Sequence, residues 1–422
     1  MRLTPPGPRW REPRWLTCRD GEGGGPVTQS LPGPAIGRRA PGSASASSAL
    51  ELFYDLVFAF TITQVSHLLI ANLSWEGAVQ GVILLLGAWW SWNYTTWFTD
   101  ELDGDTVPVR LLMFSLMALS LLMAIAIPQA FGGRGLLFAG TYVAIQVARH
   151  GFLAFVAAGR GTPERERAVH ITIWFLGAAV FWIGGAFAGG QARIALWIVA
   201  LAIDYGAPLA YYRVPGRPRL GGEAWRVNPA HFADRFASFV ILTLGEAIAI
   251  TGATMTAFAL TFSRGIAFVI AFLGSAAFWW LYFFRARDAA VLLDRAGDQT
   301  GVARDAFTYG HVALVGAILL VAVGDEFVLR HPLEALSRAE LLPVVLGPVL
   351  FLLAEVVIAW RIVGTIAWPR VAAAVTILAA GVFADRLEWP AVAVSAAILV
   401  PLAAVVMAAI RGEPAVRDGV PA

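Results

Sequence analysis

Phe53-Tyr54-Asp55 and Phe232-Ala233-Asp234 set one Phe-x-Asp signature at the head of two apolar stretches, LFYDLVFAFTITQVSHLL and HFADRFASFVILTLGEAI. Laid together without gaps, the stretches also match Phe60 with Phe239 and Ile62 with Ile241, and His67 falls opposite Glu246. Carboxylates and imidazoles take up and release protons, and carboxylates attract cations. Inside a bilayer such groups cost at least a few kcal/mol, roughly, even on lenient insertion scales, so their retention points to function. On the first stretch Glu51 and Asp55 are four apart and share a helix face, while Gln64 and His67, three apart, share another. The second opens with His231, Asp234 and Arg235 within one turn; Arg235 and Glu246 project from nearly the same side. Glu246, three turns deep, sits where a proton-relaying carboxyl belongs, with Arg149, His150 or His67 as alternative ion-pair partners. Further ionisable residues inside apolar stretches are Asp204, His311 and Asp325 on one face of a later stretch, and Glu355.

Other chemistries lack their residues. No H-x-x-x-H or E-x-x-H spacing falls within an apolar stretch, which argues against a metal site. No glycine-rich phosphate loop follows a strand and no serine elbow is present, so no cofactor and no enzymatic activity are expected. The single cysteine, Cys18, has no partner for an intrachain disulfide. Net charge is only +2, and every basic side chain is Arg; no nucleic-acid partner is read from it.

The elements that must position these residues are membrane helices. The 422 residues are 58% hydrophobic and 14% charged, with a mean hydropathy of +0.68, whereas a soluble domain carries about 25% charge. A span needs about 20 apolar residues, and the chain offers about twelve such stretches. Val82–Trp92 and Leu111–Ile127 run almost uninterrupted, unlike the alternating strands of a barrel. Residues 1–46, rich in Pro, Gly, Arg and Ser, read as a disordered tail, and 413–422 as a second short one. With the first tail inside, internal loops carry about sixteen Arg against about six outside, so both termini are expected in the cytoplasm. The cluster Trp89-Trp90-Ser91-Trp92, with Trp97, reads as an interfacial aromatic belt.

The repeat extends further: Trp92, Tyr94 and Asp100 fall opposite Trp280, Tyr282 and Asp288 at one constant offset. An even-numbered unit repeats in parallel about an axis along the membrane normal, with its site at the repeat interface. The expected fold is thus an all-α integral membrane protein of about twelve transmembrane helices in two parallel six-helix repeats, 47–226 and 227–412.

ELFYDLVFAFTITQVSHLL, PVRLLMFSLMALSLLMAIAIPQAF, HFADRFASFVILTLGEAI and YGHVALVGAILLVAVGDE together resemble the bacterial low temperature requirement A proteins, over about residues 48–410. That resemblance implies a polytopic inner-membrane protein without an assigned biochemical activity. The first helix is also similar to that of the small potassium-leak channels built from six-span repeats, whose pore helix opens Phe-Ser-Asp and continues with an apolar constriction and a Thr. Thr63 matches that Thr in the first repeat. Phe60 and Phe239 replace the constriction Ile, and Leu242 replaces the Thr of the second repeat.

The resulting expectation is passage of a small cation or proton, or of a solute coupled to one, between the repeats. Asp55 and Asp234 would form the cytoplasmic mouth, Phe60 and Phe239 the constriction, and Thr63, Gln64, His67 and Glu246 the polar site beyond. Glu51, His231, Arg235, His311, Asp325 and Glu355 would support it, and the lipid bilayer is the expected partner. A non-transporting membrane scaffold or sensor supporting growth at low temperature is the alternative.

Overall fold

The structure, a computed structural model, describes residues 46–411 apart from 105, 160, 222–224 and 226 and the side chains of Arg285 and Arg287. Cys18 and the tails expected at 1–46 and 413–422, Ala46 excepted, lie outside the described residues. The chain forms α1 (Ala49–Ala71), α2 (Trp75–Glu101), α3 (Val107–Ala126), α4 (Gly135–Phe152), α5 (Pro163–Phe187), α6 (Gly190–Gly206), α7 (Pro229–Ala257) and α8 (Phe262–Asp294). Then follow α9 (Gln299–Val302), α10 (His311–Arg330), α11 (Arg338–Val363), α12 (Trp368–Leu387) and α13 (Ala391–Arg411). A π-helical segment, Ala303–Gly310, joins α9 to α10, and another, Leu153–Ala157, finishes α4. No strand is present among the described residues.

Local sequence marks the helix ends. Ser48 with Glu51, and Ser337 with Glu340, form capping boxes that satisfy the first amides of α1 and α11. Asn228-Pro229 and Thr162-Pro163 combine a capping side chain with a proline whose missing N–H costs nothing in the first turn. Gly364, at φ 78°, closes α11 in the left-handed conformation that suits glycine.

Among the described residues eight helices are long and apolar enough to cross a membrane: α1, α3, α5, α7, α8, α10 with its preceding turns, α11 and α13. The twelve expected spans go beyond this, because α2, α4, α6 and α12 are shorter or more polar. In α2, α4 and α6 the polar groups are turned into the protein. Ser91, Asn93, Thr95 and Thr96 of α2 are all fully shielded, and so are Arg149 of α4 and, nearly, Asp204 of α6. A helix enclosed by other helices satisfies polar side chains against protein, so its composition need not match lipid on every face.

α1 packs on α2, α3, α7 and α10, and α7 on α8 and α10, so the heads of the two Phe-x-Asp stretches meet in the middle of the bundle. α10 and α11 approach closely: a Cβ on Gly324 would stand 2.9 Å from the Val344 backbone, and one on Gly347 would stand 2.8 Å from the Val321 amide. The tryptophan cluster corrects the belt expectation. Trp89, Trp90 and Trp92 are buried; Trp90 stacks on Tyr205 with centroids 3.8 Å apart, and Trp89 Nε1 donates to the Thr308 carbonyl at 2.9 Å.

Candidate functional site

The first turns of α1 and α7 run side by side and carry a buried charge network completed by α2. Arg235 on α7 donates from both guanidinium nitrogens to Asp55 on α1, each at 2.7 Å. The indole of Trp92 on α2 donates to the same carboxylate at 2.7 Å. One turn earlier, His231 lies between two carboxylates: Nδ1 is 2.9 Å from Asp100 Oδ1 and Nε2 is 2.9 Å from Glu51 Oε1. The Arg235 Nε stands 3.8 Å from Glu51 and ties the two layers together. Asp55, His231 and Arg235 are wholly shielded, and Glu51 is 2% exposed.

The proton count at His231 carries the chemistry. Each ring nitrogen to carboxylate-oxygen contact needs one hydrogen between its atoms, so the two contacts require two. A neutral imidazole supplies one. The second therefore resides on the imidazole, making it the cation, or on one of the two carboxyls. The side chains of α1, α2 and α7 in this triad thus share two hydrogens across two contacts.

The geometry also shows which of the aligned sequence positions meet and which do not. Glu51–His231 and Asp55–Arg235 are each separated by 180 residues, whereas Asp55 and Asp234, the aligned positions, are separated by 179. One residue turns a helix by about 100°, so Arg235 occupies the place facing Asp55 and Asp234 turns aside. Asp234 instead accepts from the Ser47 amide and hydroxyl, both at 2.7 Å. Trp280, the indole aligned with Trp92 in the sequence, is 40% exposed. The symmetric pair of acidic mouths is therefore replaced by an asymmetric lock in which Asp55 is occupied by Arg235.

Phe60 and Phe239 do not close on one another either. Phe60 is 38% exposed on the outer side of α1, while Phe239 is 3% exposed and packs on Trp92 with centroids 4.1 Å apart. The even spacing that aligns them in sequence places one at the surface and the other in the core. Further along, Thr63 donates to Glu246, so the polar contact between α1 and α7 falls on Thr63 and not on the aligned His67. His67 is exposed and Gln64 half-buried. Arg149 and His150 do not meet Glu246. The Arg149 guanidinium is fully shielded and donates to the Ser91 carbonyl at 3.0 Å, to Thr95 Oγ1 at 2.9 Å and to Gln146. Thr95 in turn bonds Tyr54, the neighbour of Asp55, at 2.8 Å, so Arg149 adjoins the network through neutral groups.

The remaining polar candidates are dispersed. His311 bonds Tyr282 at 3.0 Å and the Ala306 carbonyl at 3.0 Å and stacks on Phe307. Glu355 faces Arg370 at 3.3 Å, and Asp325 sits in a separate cavity of the second half. Asp204 accepts from Tyr142 at 2.6 Å and Trp182 at 3.0 Å. Among the described residues no cluster of His, Cys, Asp and Glu suited to a metal ion is present.

Asp100 and Trp92, which complete the network, stand in the sequence reading as repeated positions, Trp92 also as part of the aromatic belt, and neither as a site residue. The signal was there: both recur at the repeat offset and both close an apolar helix. Beside them opens a pocket lined by Trp97, Tyr212, Trp225, Arg167, Arg304 and Thr308 among others. Both π-helical segments contribute to its wall, through Leu153 and through Arg304 and Thr308. Such segments are frequent at functional sites because the widened turn redirects side chains.

A helical bundle with eight span-length apolar helices and buried charges in its centre defines a polytopic membrane protein. The chain belongs to the bacterial low temperature requirement A (LtrA) proteins, whose family model matches residues 46–410. It is 40% identical over 308 residues to an uncharacterized protein of Rhizobium meliloti (strain 1021), covering 72% of this chain and 74% of that one. No solved structure matches.

Proposed function

We propose that the protein passes a small cation or proton, or a solute coupled to one, between two six-helix halves, and that the Glu51–His231–Asp100 triad is the proton-exchanging element. The observation that carries this reading is the fully shielded His231 imidazole held at 2.9 Å by one carboxylate from each of two helices. Moving its second proton changes the charge balance between α1, α2 and α7, the helices on which the two halves meet. Buried ionisable groups that pair across helices are the parts from which proton relays are built. The neighbouring pocket, lined by aromatic and arginine side chains, is the place a coupled solute would occupy.

In this reading α2, α4, α6 and α12 also cross the membrane, giving twelve spans with both termini in the cytoplasm and the inner membrane as location. The helices pair as α1 with α7 and α2 with α8, then as α3 to α6 with α10 to α13. The test is flux into liposomes holding the purified protein, followed with a pH-sensitive and a potassium-sensitive dye. His231→Gln is expected to lower proton-linked flux at least ~10-fold, the effect of about 1.4 kcal/mol on the limiting step. Glu246→Gln, which keeps a group able to meet Thr63, is expected to lower it less. Flux unchanged by His231→Gln would remove the triad from the pathway.

The Asp55–Arg235 lock favours a second reading, the scaffold or sensor. A mouth already closed by a bidentate ion pair and an aligned Phe pair that never meets leave α1 without a continuous polar lane. Purified protein that moves neither protons nor potassium in either dye assay would support it.

A further inference from the structure

The second half of the bundle holds a carboxylate that the charge network does not use. Asp325 on α10 lines a pocket between α8, α10, α11 and α13. Its Oδ2 is buried without a hydrogen-bond partner. No basic side chain reaches it among the described residues: Glu326 takes Arg330, Arg338 takes Asp385, and Arg264 is engaged by the Leu329 and Arg330 carbonyls. Every other ionisable residue is absent from the cavity wall, where α8 contributes Gly274 and Phe278, α11 contributes Val344 and Pro348, and α13 contributes Ser395.

Two residues of that wall can supply further oxygens. Ser395 carries a hydroxyl. Pro348 lies inside α11 and has no N–H, so the Val344 carbonyl four residues back loses its helical donor. A carboxylate, a hydroxyl and a released carbonyl are the oxygen donors that hold monovalent cations where membrane helices are interrupted. An isolated carboxylate in an apolar wall without a counter-charge is otherwise costly.

We propose that this cavity is a binding site for a monovalent alkali cation, with Asp325 as its charged ligand and Ser395 and the Val344 carbonyl as neutral ones. The assignment rests on the same reading of a cation-handling protein, yet its test reads binding and not flux, so the two stand or fall separately.

The experiment is thermal unfolding of the full chain in nanodiscs in sodium, potassium or choline chloride at equal ionic strength, for wild type, Asp325→Asn and Ser395→Ala. A ligand that binds only the folded state raises the midpoint by mass action. Wild type is expected to melt a few degrees higher in sodium or potassium than in choline. Asp325→Asn is expected to lose that difference and, freed of an uncompensated carboxylate, to melt no lower than wild type in choline. Ser395→Ala is expected to keep a smaller difference. Equal wild-type midpoints in all three salts would overturn the site, leaving a carboxyl that merely holds a proton. So would a salt-specific shift that survives in Asp325→Asn. If Asp325→Asn does not fold, the choice falls to the wild-type salt comparison together with sodium-22 binding to Ser395→Ala, where affinity unchanged from wild type overturns the site.

Discussion

At the scale of single residues, the decisive contact is Asp55 with Arg235. A bidentate pair sealed from solvent forgoes the hydration of both ions, so its worth depends on every hydrogen bond being made. Here Arg235 and Trp92 satisfy both carboxylate oxygens. Removing one partner leaves a bare charge in the core. Asp55→Ala is expected to destabilise the protein by about 3–5 kcal/mol, while the double change Asp55→Leu with Arg235→Leu should recover most of that loss. Unfolding midpoints of the two single variants and the double variant, compared in one detergent, check the sign. A double variant no better than the worse single one would show that the pair contributes more than mutual neutralisation. The sequence announced Asp55 and Arg235 separately, since both are ionisable residues at the head of apolar stretches. It gave no sign that they face one another, because the repeat alignment pairs Asp55 with Asp234 and a one-residue difference in register redirects the side chain by about 100°.

At the scale of elements, helix contacts in this bundle depend on small residues as much as on charge. Without a hydrophobic drive between helices in lipid, close packing and interhelical hydrogen bonds hold them together. Gly324 on α10 lies against the Val344 backbone, and a backbone cannot yield as a flexible side chain would. Gly324→Ala is therefore expected to cost about 1–3 kcal/mol through overpacking. Gly177→Ala on α5, where a Cβ meets nothing within 4 Å, is expected to be neutral or slightly stabilising through helix propensity. Thermal unfolding of the pair checks this, and equal losses at both positions would refute a steric origin. Helix existence was legible in the chain from its apolar runs, and the Ser48–Glu51 and Ser337–Glu340 boxes and the N1 prolines fix several N-termini. The π-helical segments at Leu153–Ala157 and Ala303–Gly310 were not, because a widened turn follows from packing demands and leaves no composition of its own.

At the scale of the whole molecule, the question is which helices cross. α2 separates Trp75 and Val107, which are 79% and 66% exposed, and its crossing is the part of the twelve-span proposal most open to test. With the single Cys18 replaced by Ser, Trp75→Cys is expected to react with a membrane-impermeant thiol reagent in intact cells. Val107→Cys is expected to react only after permeabilisation. Labelling of both from the same side would show that α2 does not cross, and would reduce the twelve-span reading accordingly. The positive-inside count argues for the sidedness because Arg is retained on the cytoplasmic side during insertion, and that rule operates on sequence before any tertiary contact forms.

The sequence by itself determined that this is a helical membrane protein of the low temperature requirement A family, with ionisable residues concentrated at the heads of two related helices. Composition and apolar length decide partition into a bilayer, and partition needs no knowledge of neighbours. Only the tertiary structure decided which of those residues meet. It joined Asp55 to Arg235 and set His231 between Glu51 and Asp100. It also turned Phe60 outward while burying Phe239, and enclosed the tryptophans that read as a belt. Each of these outcomes depends on helix rotation and register, which are fixed by packing between elements far apart in the chain.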